Sequence, residues 1–173
     1  MTREDTPTPP EDAHAWGLIA LCRAGFEREL AGELDAFGRD LGLNGYVRAH
    51  EGTGFAVFEA VEAIDFADLA QYCDWHALVF ARTLMPWFAR VDDLPDDDRA
   101  SPIVEAARGA AQRFSTVAIE HPDSDAARPL SGFCRRFAAP LAKKLSARGA
   151  MRTSRSNLAA LHVIFTDEKT AWL

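Results

Sequence analysis

The chain has 173 residues, enough for one ordinary domain or two small ones. It is 48% hydrophobic and 26% charged with a formal net charge of -7, a soluble globular composition without the ~20-residue apolar run that a membrane span needs. Its three cysteines (Cys22, Cys73 and Cys134) are far apart and never in C-x-x-C spacing, and no signal peptide opens the chain. This argues against a disulfide framework or a zinc site and fits a reducing cytoplasm.

Residues 1–13 carry Pro7, Pro9 and Pro10 among Thr, Glu and Asp, and read as a disordered tail. Trp16 to Cys22 is a compact apolar run, expected as a buried strand. After Gly25, the residues Phe26, Leu30, Leu34, Phe37 and Leu41 recur at helical spacing, and Gly42 is placed to end that helix. Tyr46 to His50 and Phe55 to Ala60 read as strands. The E-G-T-G between them, Glu51 to Gly54, is expected as a hairpin turn and not a phosphate loop, because the residues after it alternate as a strand. A helix over Ile64 to Asp74 turns Phe66, Leu69, Ala70 and Cys73 inward. A strand over Leu78 to Arg90 follows, cut by Pro86. The resulting strand, helix, strand, strand, helix, strand order is that of a ferredoxin-like unit.

Asp92, Asp93, Asp96, Asp97 and Asp98 crowd around Pro95 and read as a solvated connector between units. Ser101 and Pro102 are expected as cap and first turn of a helix whose face is Ile103, Ala107, Ala111 and Phe114. Thr116 to Glu120 is a short strand, His121 to Arg128 a polar loop, and Leu158 to Phe165 a strand with Leu161, Val163 and Phe165 on one side. Thr170 to Leu173 begins a return strand. Its shortness suggests the front piece of a longer protein.

Charge is divided unevenly. Residues 1–100 carry 20 acids and 8 Lys/Arg, while residues 101–173 carry 6 acids and 11 Lys/Arg. No carboxylate occurs between Asp125 and Asp167, a gap that holds Arg128, Arg135, Arg136, Lys143, Lys144, Arg148, Arg152 and Arg155. Phe133, Phe137, Leu141 and Leu145 recur every four residues and define the buried side of a helix. Arg135, Arg136 and Lys143 fall on the opposite arc, Lys144 borders the apolar stripe, and Gly149 terminates the helix. Pro140 is expected to kink or interrupt it, and Met151 to Asn157 forms a polar arginine loop. A carboxylate-free basic block in an acidic chain is where a polyanion would dock, and these eight cations are the candidate RNA-contacting residues. The alternatives are a protein-interaction scaffold whose basic face is only solvated, and a small-molecule regulatory domain of ferredoxin-like type.

No nucleophile elbow, P-loop, H-E-x-x-H or dinucleotide fingerprint occurs, and the five histidines (His14, His50, His76, His121 and His162) are dispersed. No residue is assigned as catalytic or metal-binding.

Three places carry a resemblance. They are L-C-R-A-G-F-E-R-E-L at Leu21 to Leu30; H-A-L-V-F-A-R at His76 to Arg82 with D-R-A-S-P-I-V at Asp98 to Val104; and F-C-R-R-F-A-A-P-L at Phe133 to Leu141 with L-H-V-I-F at Leu161 to Phe165. Together they resemble the N-terminal half of the bacterial ribosomal RNA large subunit methyltransferase M family, which methylates a cytidine 2'-oxygen of 23S rRNA with S-adenosylmethionine. The resemblance implies an α+β fold of two small α/β sandwich units: a ferredoxin-like domain over 14–91, an acidic linker over 92–100, and a THUMP-like RNA-binding domain over 101–173. It also implies a Rossmann-like methyltransferase domain beyond this chain, holding the methyl-donor site and the catalytic group. The implied partners are 23S rRNA and that C-terminal domain, with no membrane and no cofactor within this chain.

Overall fold

The computed structural model describes residues 14–72, 74–110, 113–152 and 158–173. The expected N-terminal tail, Cys73, Ala111 and Arg155, and the side chain of Ala70, lie outside the described residues.

Two four-stranded sheets carry the fold, which is α+β in class. The first comprises β1 (His14–Leu21), β2 (Gly45–Ala49), β3 (Phe55–Asp65) and β4 (Thr83–Trp87), in the order β2-β3-β1-β4 with every pairing antiparallel. Helices α1 (Glu27–Asp40) and α2 (Phe66–Tyr72) complete the ferredoxin-like pattern. Leu30 and Leu34 are fully buried, as the spacing of the α1 stripe requires. Phe26 departs from it: it sits at the N-cap, 42% exposed, and stacks on Phe80 at 5.8 Å. Gly42 (φ +70°) ends α1 as expected, with Gly42 N–H donating to Arg39 O and Leu43 N–H to Gly38 O. The ring of Phe58 lies where a side chain on Gly38 would stand, at 2.6 Å from an added Cβ, so that glycine sets how closely α1 approaches β3. The E-G-T-G segment is a hairpin turn between β2 and β3.

Two expectations for this unit are corrected. β3 runs on through Ile64 to Asp65, so α2 begins later than the apolar spacing suggests. β4 covers only Thr83–Trp87 but continues through Pro86, which pairs with Leu18. Proline is tolerated there because β4 is an edge strand, where the missing N–H leaves no ladder bond unmade.

The chain then changes sheet. β5 (Arg90–Val91) does not extend β4 but pairs with β8 (Ala171–Trp172) of the second sheet, whose order is β5-β8-β7-β6. β6 (Thr116–Glu120) and β7 (Ala160–Phe165) are parallel, joined by the crossover helix α4 (Leu130–Ala147), and α3 (Ala100–Gly109) packs beside α4. Leu161, Val163 and Phe165 face the helices, together with Ile103, Leu141 and Leu145, and all six are essentially inaccessible. The acidic connector is not only solvated. Leu94 within it is fully buried in this core and its N–H donates to Lys169 O at 3.0 Å.

The opposite faces of the two sheets meet through Ile19, Leu21, Val57 and Met85 on one side and Ile164 and Trp172 on the other. Trp87 and Trp172 pack edge to face at 4.9 Å. Cys22 and Cys134 are buried free thiols, and burial pushes each up to about 11. A thiol titration of the native protein should therefore leave both unmodified near neutral pH and detect them only on unfolding; rapid native labelling of either would contradict their burial.

Candidate nucleic-acid interface

Helix α4 is shaped by its apolar stripe. Leu130, Cys134, Leu141 and Leu145 are buried, and Phe133 and Phe137 stack at 4.9 Å while meeting Phe165 edge-on at 5.0 and 5.7 Å. Burying such side chains contributes about 1.5–3 kcal/mol each, which fixes the helix on β6 and β7 and turns its other face outward. Of the two effects expected of Pro140, interruption does not occur: α4 runs unbroken from Leu130 to Ala147. Pro140 is exposed, so the carbonyl that loses its partner can be hydrated. Gly149 (φ +72°) closes the helix: its N–H donates to Ser146 O and that of Ala150 to Leu145 O.

Seven of the eight sequence-predicted cations are described, and they separate into three groups. Arg135, Arg136, Lys143, Arg148 and Arg152 are exposed, and none forms an ion pair among the described residues. Arg128 pairs with Asp125 three residues away, where both side chains are largely exposed and the pair is worth little. Lys144 is engaged. Its amine donates to both carboxylate oxygens of Asp98 at 2.9 Å and to Ser101 Oγ at 2.6 Å. Hydrogen bonds from the Ser101 hydroxyl, Lys144 and the Ser101 N–H hold the Asp98 carboxyl well below the usual carboxylate range. Asp98 thus caps the start of α3, the role expected of Ser101, because a carboxylate accepts from both the Ser101 N–H (3.1 Å) and its hydroxyl (2.6 Å). Arg155 lies outside the described residues.

One cation was missed by the sequence reading. Arg113 is exposed and forms no ion pair among the described residues, and the backbone bridge between Phe114 and Met151 sets it beside Arg152. A second acid-free stretch, Ala106 to Ile119, was the available signal.

Two other polar sites are internally neutralised. A hollow of about 240 Å³ between the sheets is lined by Arg48, Glu59, Arg90 and Trp172 among others. There Arg48 pairs with Glu59, and Arg90 pairs with Asp92. His162 meets Glu120 at 3.0 Å and holds that carboxyl below its ordinary value. Among the described residues no group of three His, Cys, Asp or Glu side chains could hold a metal ion, and no helix is long and apolar enough to cross a membrane.

Two family models match the chain: the RlmM ferredoxin-like domain over residues 16–85, and the N-terminal model of ribosomal RNA large subunit methyltransferase M over residues 98–173. The chain belongs to the ribosomal RNA large subunit methyltransferase M family. It corresponds to the N-terminal region of that family, and spans just under half the length of the curated relatives it matches. The family member of Aromatoleum aromaticum is 54% identical over 168 residues, covering 96% of this chain and 46% of the relative. That of Stenotrophomonas maltophilia strain R551-3 is 40% identical over 158 residues, covering 91% and 43%. Among solved structures, TrmN from Thermus thermophilus superposes with a TM-score of 0.55 at 18% identity, covering 91% of this chain and 44% of its own, a likeness of fold.

Proposed function

We propose that this chain is the RNA-binding front region of an S-adenosylmethionine-dependent 23S rRNA (cytidine 2'-O)-methyltransferase. It positions ribosomal RNA for a catalytic domain outside this sequence. The observation that carries the reading is the outward face of α4, where Arg135, Arg136 and Lys143 stand exposed and unpaired by any described carboxylate. Family membership supports ribosomal RNA as the substrate class. Residues 101–173 would be the THUMP-like, RNA-facing unit. The ferredoxin-like unit would end before Arg90 rather than at 91, because β5 pairs with β8. Leu94 would make 92–100 part of the second unit rather than a free linker.

The described residues do not fit the methyl donor itself. The single G-x-G turn joins two strands rather than a strand and a helix, and the Gly54 N–H is already bound to the Glu27 carboxylate at 2.7 Å. No step of methyl transfer is therefore assigned to this chain.

Phosphate contacts of this kind carry affinity and orientation rather than base sequence. Binding by the isolated chain should be weak, with Kd on the order of 10⁻⁴–10⁻⁶ M. If about four phosphates are met, log K against log salt should fall with a slope of roughly -3 for single-stranded RNA. A titration at two salt concentrations measures this, and an affinity indifferent to salt would remove the reading. Adjacent lysines give a sharper contrast. Lys143→Ala should weaken RNA binding with an unchanged melting temperature. Lys144→Ala should lower the melting temperature, because it strips Asp98 of its partner, with little change in RNA affinity. The opposite pattern would place Lys144 on the RNA and Lys143 in the fold.

A second reading, a protein-docking scaffold, is favoured by one observation. Tyr72, Trp75 and Val79 lie 63%, 58% and 80% exposed beside α2, in a segment whose Val79, Phe80 and Ala81 N–H groups donate to the Glu33 carboxylate. Glutamate at Trp75 and Val79 should then disrupt assembly with a partner while leaving RNA binding intact.

A further inference from the structure

We infer that Arg113, with Arg148 and Arg152, forms a second phosphate-binding corner at the C-terminal end of α4, where the RNA strand leaves the helix face. The inference rests on the RNA-binding reading above and extends it to a residue outside the basic block.

The corner is built by backbone. Phe114 N–H donates to Ala150 O at 3.0 Å and Arg152 N–H donates to Phe114 O at 2.8 Å, a two-bond parallel bridge between segments far apart in sequence. Arg113 and Arg152 adjoin that bridge, one on each of the two segments it joins. Arg148 caps α4 immediately before the Gly149 turn that leads into the bridge. The anchoring is firm on both sides. Phe114 is 2% exposed and Ala150 3% exposed, and Ser115 Oγ donates to Leu158 O at 2.8 Å. Fixed backbone lets three flexible guanidinium groups start from a common place, which lowers the ordering cost of gripping a phosphate.

The charge pattern points to a polyanion. The chain has no carboxylate from Ala106 to Ile119 and none from Ala126 to Thr166, and these two acid-free stretches meet at the Phe114–Met151 bridge. Among the other described arginines, seven have carboxylate partners (Arg39 with Asp35, Arg48 with Glu59, Arg82 with Asp123, Arg90 with Asp92, Arg99 with Asp96, Arg108 with Glu105 and Arg128 with Asp125), while Arg23, Arg28, Arg135 and Arg136 form no ion pair with a described residue. The corner is left unneutralised by the described residues. It stands at the C-terminal end of α4, about 18 Å along the axis from Arg136. At about 100° per residue Arg148 is turned well away from Arg136 and Lys143, so the corner is a separate group of cations and not an extension of the helix face. A phosphodiester strand is the extended anion that would span both groups, with guanidinium groups suited to bidentate phosphate contact.

The experiment compares wild type, Arg113→Gln, Arg108→Gln and Arg135→Gln/Arg136→Gln by titration with single-stranded RNA at several salt concentrations. Arg113→Gln should weaken binding about threefold or more and flatten the slope of log K against log salt by about 0.7, the contribution of one single-stranded phosphate. Arg108→Gln, which loses only a surface pair with Glu105, should change neither. If Arg135→Gln/Arg136→Gln weakens binding while Arg113→Gln matches wild type in affinity and slope, the corner is overturned and the RNA reading stands. If wild type itself shows no salt-dependent RNA binding, both fall. Arg113 is exposed, so circular dichroism should show an unchanged fold in every variant.

Discussion

Reversing three charges on α4, Arg135→Glu, Arg136→Glu and Lys143→Glu together, is expected to reduce RNA affinity by at least about tenfold at low salt and to flatten its salt dependence by about 2 in log–log slope. Each removed contact takes away one counterion-release contribution, and each new carboxylate adds repulsion from the phosphates. All three positions are exposed and unpaired by described acids, so the melting temperature should stay close to that of the wild type. Isothermal titration or fluorescence anisotropy reads the affinity and thermal melting reads the fold. Retained affinity with intact folding would mean that the basic face is merely solvated.

The largest stability effect is expected at Glu27. This carboxylate is only 3% exposed and accepts from Gly25 N–H at 3.0 Å and from Gly54 N–H at 2.7 Å, tying the β1–α1 turn to the β2–β3 hairpin. Burial opposes its ionisation, but the backbone N–H groups around it outweigh burial and hold its carboxyl below the ordinary value. Glu27→Ala leaves at least two backbone donors without their charged acceptor and should cost about 3 kcal/mol or more. The sign with pH follows from the depressed ionisation. The contribution is fully present above the unfolded-state value near about 4.3 and is lost as pH falls through the lower folded-state value. Denaturant melts between neutral and acidic pH should show the wild-type advantage over Glu27→Gln shrinking on acidification. An advantage constant with pH would mean that the carboxylate charge is not what the N–H groups recognise.

Much of this structure is local enough to be legible in the residues. Leu141 and Leu145 lie on a four-residue repeat, and a repeat dictates a buried stripe whatever the partner. Gly42 and Gly149 stand where helices need a left-handed residue, and both take it. The residues that could not be read are those whose roles depend on distant chain. Glu27 looks like a helix-dipole residue, but its decisive partner, Gly54, is 27 positions away. Lys144 borders the apolar stripe and reads as a surface cation, yet Asp98, 46 residues earlier, takes its amine. Pro86 reads as a strand breaker until β4 is known to be an edge. Arg113 acquires meaning only when Phe114 bridges to Met151. The basic block, by contrast, was visible because charge composition needs no tertiary information. What composition could not say is that Arg128 and Lys144 already have carboxylate partners, so that the exposed face is narrower than the block.

The most direct test is to map amide chemical-shift changes as single-stranded RNA is added to the isotope-labelled chain. The account predicts shifts concentrated at Arg135, Arg136, Lys143, Arg148, Arg152 and Arg113. Shifts centred instead on Tyr72 to Ala81, or on the hollow between the sheets beside Arg48 and Arg90, would contradict it.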